Sequence, residues 1–218
     1  GVASAYTLVA ELHRHCQGRP PGTRADVLAP LLRACRAELA PLAARSGLAE
    51  HVGRRFQDCL DRHELLLTLR EMLARLWQEA RRIESDDRHR LHALSHIGLQ
   101  HLDACDRVWT ADYTGSATGG EWGTVIGCLR QAALAERRVS VVLISDAPDA
   151  PPIKQAVAEL EMLQLAVEIR SSDSLADATL DPARERVLLA ADRLDRRGLL
   201  LTEAPEARRL AAWAAPHE

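Results

Sequence analysis

Apolar residues recur at three- and four-residue spacing through residues 1–104, then give way to short apolar runs between helical stretches from Asp106 onward. The first pattern predicts helices. Val2 to His13 is the first, stopped by Gly18, Pro20, Pro21 and Gly22. Asp26 to Leu42 carries Leu28, Leu31, Leu32, Cys35 and Leu39 on one stripe, with a break at Arg45 to Gly47. His51 to Ile83 reads as one long amphipathic helix with Val52, Phe56, Leu60, Leu67, Met72, Leu76 and Ile83 inward. Ser85 then caps a last helix to about Cys105, with Asp86 and Asp87 in its first turn and Leu91, Leu94, Ile97, Leu99 and Leu102 buried.

The second pattern predicts strands alternating with helices. Strands are expected at Val108–Thr110, Val139–Ile144, Ala166–Ile169, Val187–Ala190 and Leu199–Leu201. Helices are expected at Trp122–Ala135, Ile153–Leu163 and Pro205–Ala214, with a short helix or loop at Asp173–Leu180. Such alternation means a parallel sheet with helices on both faces. The fold class is therefore α/β: a helical domain over 1–105 packed on a Rossmann-like domain over 106–218. Asp112, the glycine-rich stretch, Asp146, Ser171 to Asp173 and Asp192 fall at strand carboxyl ends, where such sheets bind ligands.

That stretch is Thr110 to Thr124, T-A-D-Y-T-G-S-A-T-G-G-E-W-G-T. Glycines let backbone N–H groups approach an anion, and a following helix N-terminus favours one. Thr114, Gly115, Ser116, Thr118, Gly119 and Gly120 are the candidate phosphate ligands. A tight strand-to-helix turn with a Thr or Ser cap explains the same residues, and the pattern leaves both readings open.

The stretch resembles the T-H-C-N-(A/T)-G-(S/A)-x-A-T-x-x-(Y/W)-G-T signature of the methylthioribose-1-phosphate isomerase, initiation factor 2B and ribose-1,5-bisphosphate isomerase superfamily. G-V-A-S-A-Y at Gly1 to Tyr6, S-H-I-G at Ser95 to Gly98, D-R-V-W-T at Asp106 to Thr110 and A-A-D-R-L at Ala190 to Leu194 resemble further family segments in the same order. The resemblance implies an aldose–ketose isomerase with a catalytic Cys in T-H-C-N and a catalytic Asp in A-D-R. Asp192 matches the Asp, and Asp112 stands where the Cys would be. Two carboxylates in one pocket push one pKa upward, so an Asp112/Asp192 acid–base pair is one reading. Asp112 as a cap of its turn is the other.

The resemblance also implies phosphate ligands that are largely missing. The D-E-T-R-P-x-x-Q-G loop corresponds to Asp146–Pro152, which lacks Arg and Gln, and N-K-I-G-T falls near Thr202 to Glu206 without its Lys. Arg19 matches the family's Arg-Pro, with Arg24 as the competing alignment. The expectation is a divergent binding or regulatory member, for a sugar phosphate or nucleotide, that has lost the reaction. The alternative is an active isomerase. The family's R-G-A-P segment would precede Gly1, which implies a longer natural protein.

Net charge is −3 over 218 residues, which argues against a nucleic-acid surface. Lys154 is the single lysine. Five scattered cysteines without a C-x-x-C pair indicate neither a disulfide framework nor zinc, and fit a cytoplasmic protein. His89, His92 and His96 lie on one helix face, but nothing at helical spacing completes a metal site. No metal, cofactor or membrane partner is expected. The Ala- and Leu-rich C-terminal helix with Trp213 suggests a homodimer.

Overall fold

A computed structural model describes residues 2–20, 22–43, 47–63, 66–111, 123–191, 193–194, 200–201 and 204–215. The chain divides into two compact units, Gly1–Asp87 and Arg88–Glu218. The first contains α1 (Val2–Cys16), a 3-10 turn (Ala25–Val27), α2 (Leu28–Ala43), α3 (Gly47–His63) and the first part of α4 (Leu69–Gln100). Their apolar stripes meet in one core. It holds Leu8, Val9 and Leu12 of α1, Leu28 and Leu32 of α2, Phe56 and Leu60 of α3, and Met72, Leu76 and Ile83 of α4. The Cys35 and Leu39 side chains lie outside the described ones.

The long helix expected over His51 to Ile83 is two helices, and the break expected at Ser85 is absent. The sequence T-L-R-E at Thr68 explains the first correction. The Glu71 carboxylate accepts from the Thr68 N–H at 2.9 Å and from its hydroxyl at 2.8 Å, and the Thr68 Oγ1 accepts from the Glu71 N–H at 3.4 Å. This reciprocal capping box starts α4. The Thr68 bonds also hold the Glu71 carboxyl below its ordinary range. Residues 23 and 69 are tied as well, the Leu69 N–H donating to the Thr23 carbonyl at 2.8 Å. Around Ser85 there is no Gly or Pro to stop the helix, and Asp86 accepts from Arg55 at 2.6 Å instead of capping. Thr68→Ala is expected to lower stability by about 1 kcal/mol, read as a shift of the urea midpoint.

The second unit contains β1 (Arg107–Thr110), α5 (Val125–Leu134), β2 (Ser140–Ile144), α6 (Pro151–Met162), β3 (Ala166–Arg170), a 3-10 turn (Ser172–Asp177), β4 (Glu185–Val187), β5 (Arg193–Leu194), β6 (Leu200–Leu201) and α7 (Pro205–Ala214). β1 to β4 form a parallel sheet of order β3-β2-β1-β4. The fold is α/β with helices on both sheet faces. Val108 and Val141 pack with Ile126 and Leu129 of α5 and Leu160 of α6. Trp109, Val142 and Ile144 point the other way, to Leu175 and to Leu210 of α7. This alternation is the two-residue period of a strand.

Two details differ from the expected pattern. The strand at Leu199–Leu201 does not join the parallel sheet. Leu200–Leu201 pairs antiparallel with Arg193–Leu194 in a separate two-stranded sheet. Five residues between those strands are too few for a parallel crossover, which needs a dozen or more. In α4, Leu94 and Ile97 are exposed, while Ser95 is fully buried. Small residues take the inward face here because α5 comes close. A Cβ on Gly98 would stand 2.3 Å from the Cys128 sulfur, and the Cys128 thiol lies 3.9 Å from the Leu94 carbonyl.

Candidate functional site

The strand order reverses between β1 and β4. From β1 the chain proceeds outward through β2 to β3, then returns to the other side of β1 as β4. Trp109 is in register with Val187, and the Leu188 N–H donates to the Trp109 carbonyl at 2.9 Å. The carboxyl ends of these two strands are therefore neighbours at a topological switch point, the crevice where open parallel sheets bind ligands.

Asp112, Thr114, Gly115, Ser116, Thr118, Gly119, Gly120 and Asp192 lie outside the described residues. Both flanks of the glycine-rich stretch are described. Ala111 is buried after β1, and Gly123 has φ of 68°, a left-handed conformation that favours glycine. Thr124 takes the N-cap position of α5 without a side-chain capping bond, so the helix starts at Val125 rather than at Trp122.

Next to this crevice, at the end of β2, the Asp146 carboxylate accepts from the Ser172 N–H at 2.7 Å and from its hydroxyl at 2.8 Å. Arg209 of α7 reaches Asp146 at 3.4 Å, Asp173 at 3.7 Å and the Ser172 hydroxyl. The Ser172 bonds, with help from Arg209, hold the Asp146 carboxyl below its ordinary range. Sequence reasoning placed Asp146 and Ser171 to Asp173 at strand ends but missed Arg209, which no local pattern links to them.

A carboxylate with a lowered folded pKa contributes stability above its unfolded pKa, and that contribution is lost as pH falls through the folded pKa. Asp146→Asn is therefore expected to cost about 1 kcal/mol at neutral pH, a value discounted for the half-exposed side chain, and progressively less below about pH 4. Paired urea titrations across that range measure it.

Trp109, fully buried, organises the same face of the sheet. Its ring lies 4.9 Å from that of Trp213, its Nε1–H donates to Glu185 at 3.0 Å, and the Arg170 guanidinium sits 5.2 Å from its centroid. Trp213 also donates to the Ala178 carbonyl at 3.2 Å. The tryptophan that the sequence offers as a dimer contact is thus engaged within its own unit.

In the helical unit, Arg19 follows α1 and helps line a cavity of about 340 Å³ with Arg70 and Trp77. Arg24 pairs instead with Asp26 at 3.5 Å. In the part of α4 that belongs to the second unit, His92 and His96 stack edge to face with centroids 4.5 Å apart.

No family model matches the chain. Methylthioribose-1-phosphate isomerase of Nitratidesulfovibrio vulgaris is 27% identical over 127 residues, which is 58% of this chain and 36% of that protein. The crystal structure of 5-methylthioribose 1-phosphate isomerase from Pyrococcus horikoshii superposes with a TM-score of 0.72 at 17% identity, over 99% of this chain and 58% of that one. Subunit delta of translation initiation factor eIF-2B from A. fulgidus gives a TM-score of 0.68 at 20% identity, over 99% of this chain and 61% of that one. The chain is similar in sequence to that isomerase over part of its length, and it shares its fold with these isomerases and initiation factor subunits.

The matched stretch spans about a third of the length of the curated isomerase, 36%. Asp112 and Asp192 follow β1 and β4 in sequence. Asp112 comes two residues after Thr110, and Asp192 five after Val187. The loop after β2 carries Ala147 and Pro151, and its Asp146 is tied to Ser172.

Proposed function

We propose that this chain is a divergent relative of these isomerases and initiation factor subunits, a binding or regulatory protein for a sugar phosphate or nucleotide that has lost the standard isomerase reaction. The adjacency of the β1 and β4 carboxyl ends carries the reading, because a glycine-rich stretch follows one of them. The ligand's phosphate takes backbone N–H groups of Gly115 to Gly120, with Thr114, Ser116 and Thr118 hydroxyls beside them. In this reading residues 1–105 form the helical domain and 106–218 carry the ligand site.

Loss of catalysis is supported by the acidic character of the strand ends. Asp146 and Asp173 face Arg209, which is already bonded to both. An additional Asp112 at the cysteine position adds negative charge next to a dianionic substrate. The second reading is an isomerase using Asp112 and Asp192 as its acid–base pair. The same register favours it, since both residues follow neighbouring strands.

The binding test is a thermal-shift titration with ribose 5-phosphate, ribose 1,5-bisphosphate and AMP. A saturable rise in melting temperature that is lost in Gly119→Asp supports binding, and no shift with any of the three sinks it.

A homodimer and a cytoplasmic location belong to the same proposal. One structural neighbour is the tetrameric eIF2B-beta2-delta2 complex from C. thermophilum, with a TM-score of 0.67 at 17% identity. Among the described residues no helix is long and apolar enough to cross a membrane. Sedimentation at tens of micromolar decides the assembly, since an interface of more than roughly 1,000 Å² should hold a dimer there.

A further inference from the structure

The seam between α3 and α4 has no role in the site above. Arg55, Cys59 and Arg62 recur on one face of α3, and Arg75, Glu79 and Arg82 on one face of α4. Together they line a hollow of about 300 Å³, at the lower end of the ~300–1,000 Å³ range of small-molecule sites. Four arginines meet two carboxylates in its wall, Glu79 and the exposed Asp58.

The charges are not spread evenly. Glu79 accepts from Arg55 at 2.6 Å and faces Arg82 at 3.5 Å, and Asp86 takes a second bond from Arg55 at 2.6 Å. That end is neutralised. At the other end, Arg62 and Arg75 make no ion pair with a carboxylate among the described residues, and both act electrostatically on half-buried Cys59. Burial is the larger influence on that thiol and pushes its pKa up.

We propose that this hollow binds the phosphate group of a small phosphorylated metabolite, held by Arg62 and Arg75. Guanidinium groups match phosphate oxygens with paired N–H donors, and two of them offset a dianion. The polar wall suits a hydrophilic substituent, such as a polyol, better than an apolar one. The ligand needs nothing from the strand-end residues, so this site stands or falls separately from the one above.

Cys59 supplies a local reporter. Its alkylation by iodoacetamide, a neutral reagent, is followed by peptide mass spectrometry in inorganic phosphate or glycerol 3-phosphate, with chloride balancing ionic strength. Cys16, Cys105 and Cys128 are buried and serve as internal controls. Expected is a saturable slowing of at least threefold at Cys59, half-maximal in the low millimolar range, and its loss in Arg62→Gln/Arg75→Gln. An unchanged rate, equal slowing by chloride, or undiminished protection in the double variant overturns the site. If the double variant loses the wild-type circular dichroism spectrum, the single variants decide. Weakened protection in both supports the site, and full protection in either one sinks it.

Discussion

Supplied with methylthioribose 1-phosphate, the purified protein is expected to form no ketose phosphate above the uncatalysed background. The parent reaction needs a group to open the ring, a group to move a proton between C1 and C2, and a clamp for the phosphate. Asp192 matches one acid–base position. Asp112 could supply the other only while protonated, and an unperturbed Asp has a pKa of about 3.9. The clamp is weaker still. On the family resemblance, the arginine and glutamine positions of the loop after β2 read Ala147 and Pro151, and the lysine position falls near Glu203. Each lost charge-assisted bond costs about 1.5–3 kcal/mol, so two of them remove roughly 10²–10⁴ in affinity before any chemistry begins. Coupled detection of the ketose product measures the result. Brisk turnover that disappears in Asp192→Asn would reverse the conclusion and make Asp112 the working substitute for the cysteine.

Trp109→Ala should destabilise the protein by about 3–5 kcal/mol, a large share of the ~5–15 kcal/mol that holds a typical domain together. The ring is 1% exposed and sits at the centre of the β-sheet face covered by α7. Removing it leaves a cavity, takes away the stacking partner of Trp213 and strips Glu185 of the indole donor. Trp109→Phe keeps most of the apolar volume and should cost clearly less. Guanidinium unfolding followed by far-UV circular dichroism reads both. A loss under about 1 kcal/mol for the alanine variant would show that the ring does not organise this core.

The strands of the second unit were legible because β-branched and apolar runs such as Val139 to Ile144 have no helical spacing. Parallel pairing followed from the helices between them. The hairpin of Arg193–Leu194 with Leu200–Leu201 was legible too, had the five-residue gap been weighed against the length of a crossover. The junction of α3 and α4 was missed because the apolar stripe continues through it. T-L-R-E at Thr68 was the local signal, whereas Ser85 has Arg88 rather than Glu three residues on. Leu94 and Ile97 were assigned inward by hydrophobicity, but close approach to α5 favours small side chains over apolar ones. Arg209 bonds to residues up to 63 positions away, and no window of sequence contains that pairing. The glycine ligands and the Asp112/Asp192 pair come from spacing and resemblance, and they lie outside the described residues.

The contact between Gly98 and Cys128 bears on how this chain can change in descent. An alanine is worth about 1 kcal/mol more than glycine inside a helix, so position 98 is under steady pressure to gain a methyl group. Gaining it requires Cys128 to shift, because its sulfur lies 2.3 Å from where that methyl would sit. Removing the sulfur first, by Cys128→Gly, opens the way, whereas the reverse order passes through a strained intermediate. The two sites, 30 positions apart, share a single allotment of space, so their histories should run in a fixed order and leave a size correlation among relatives with the same helix packing.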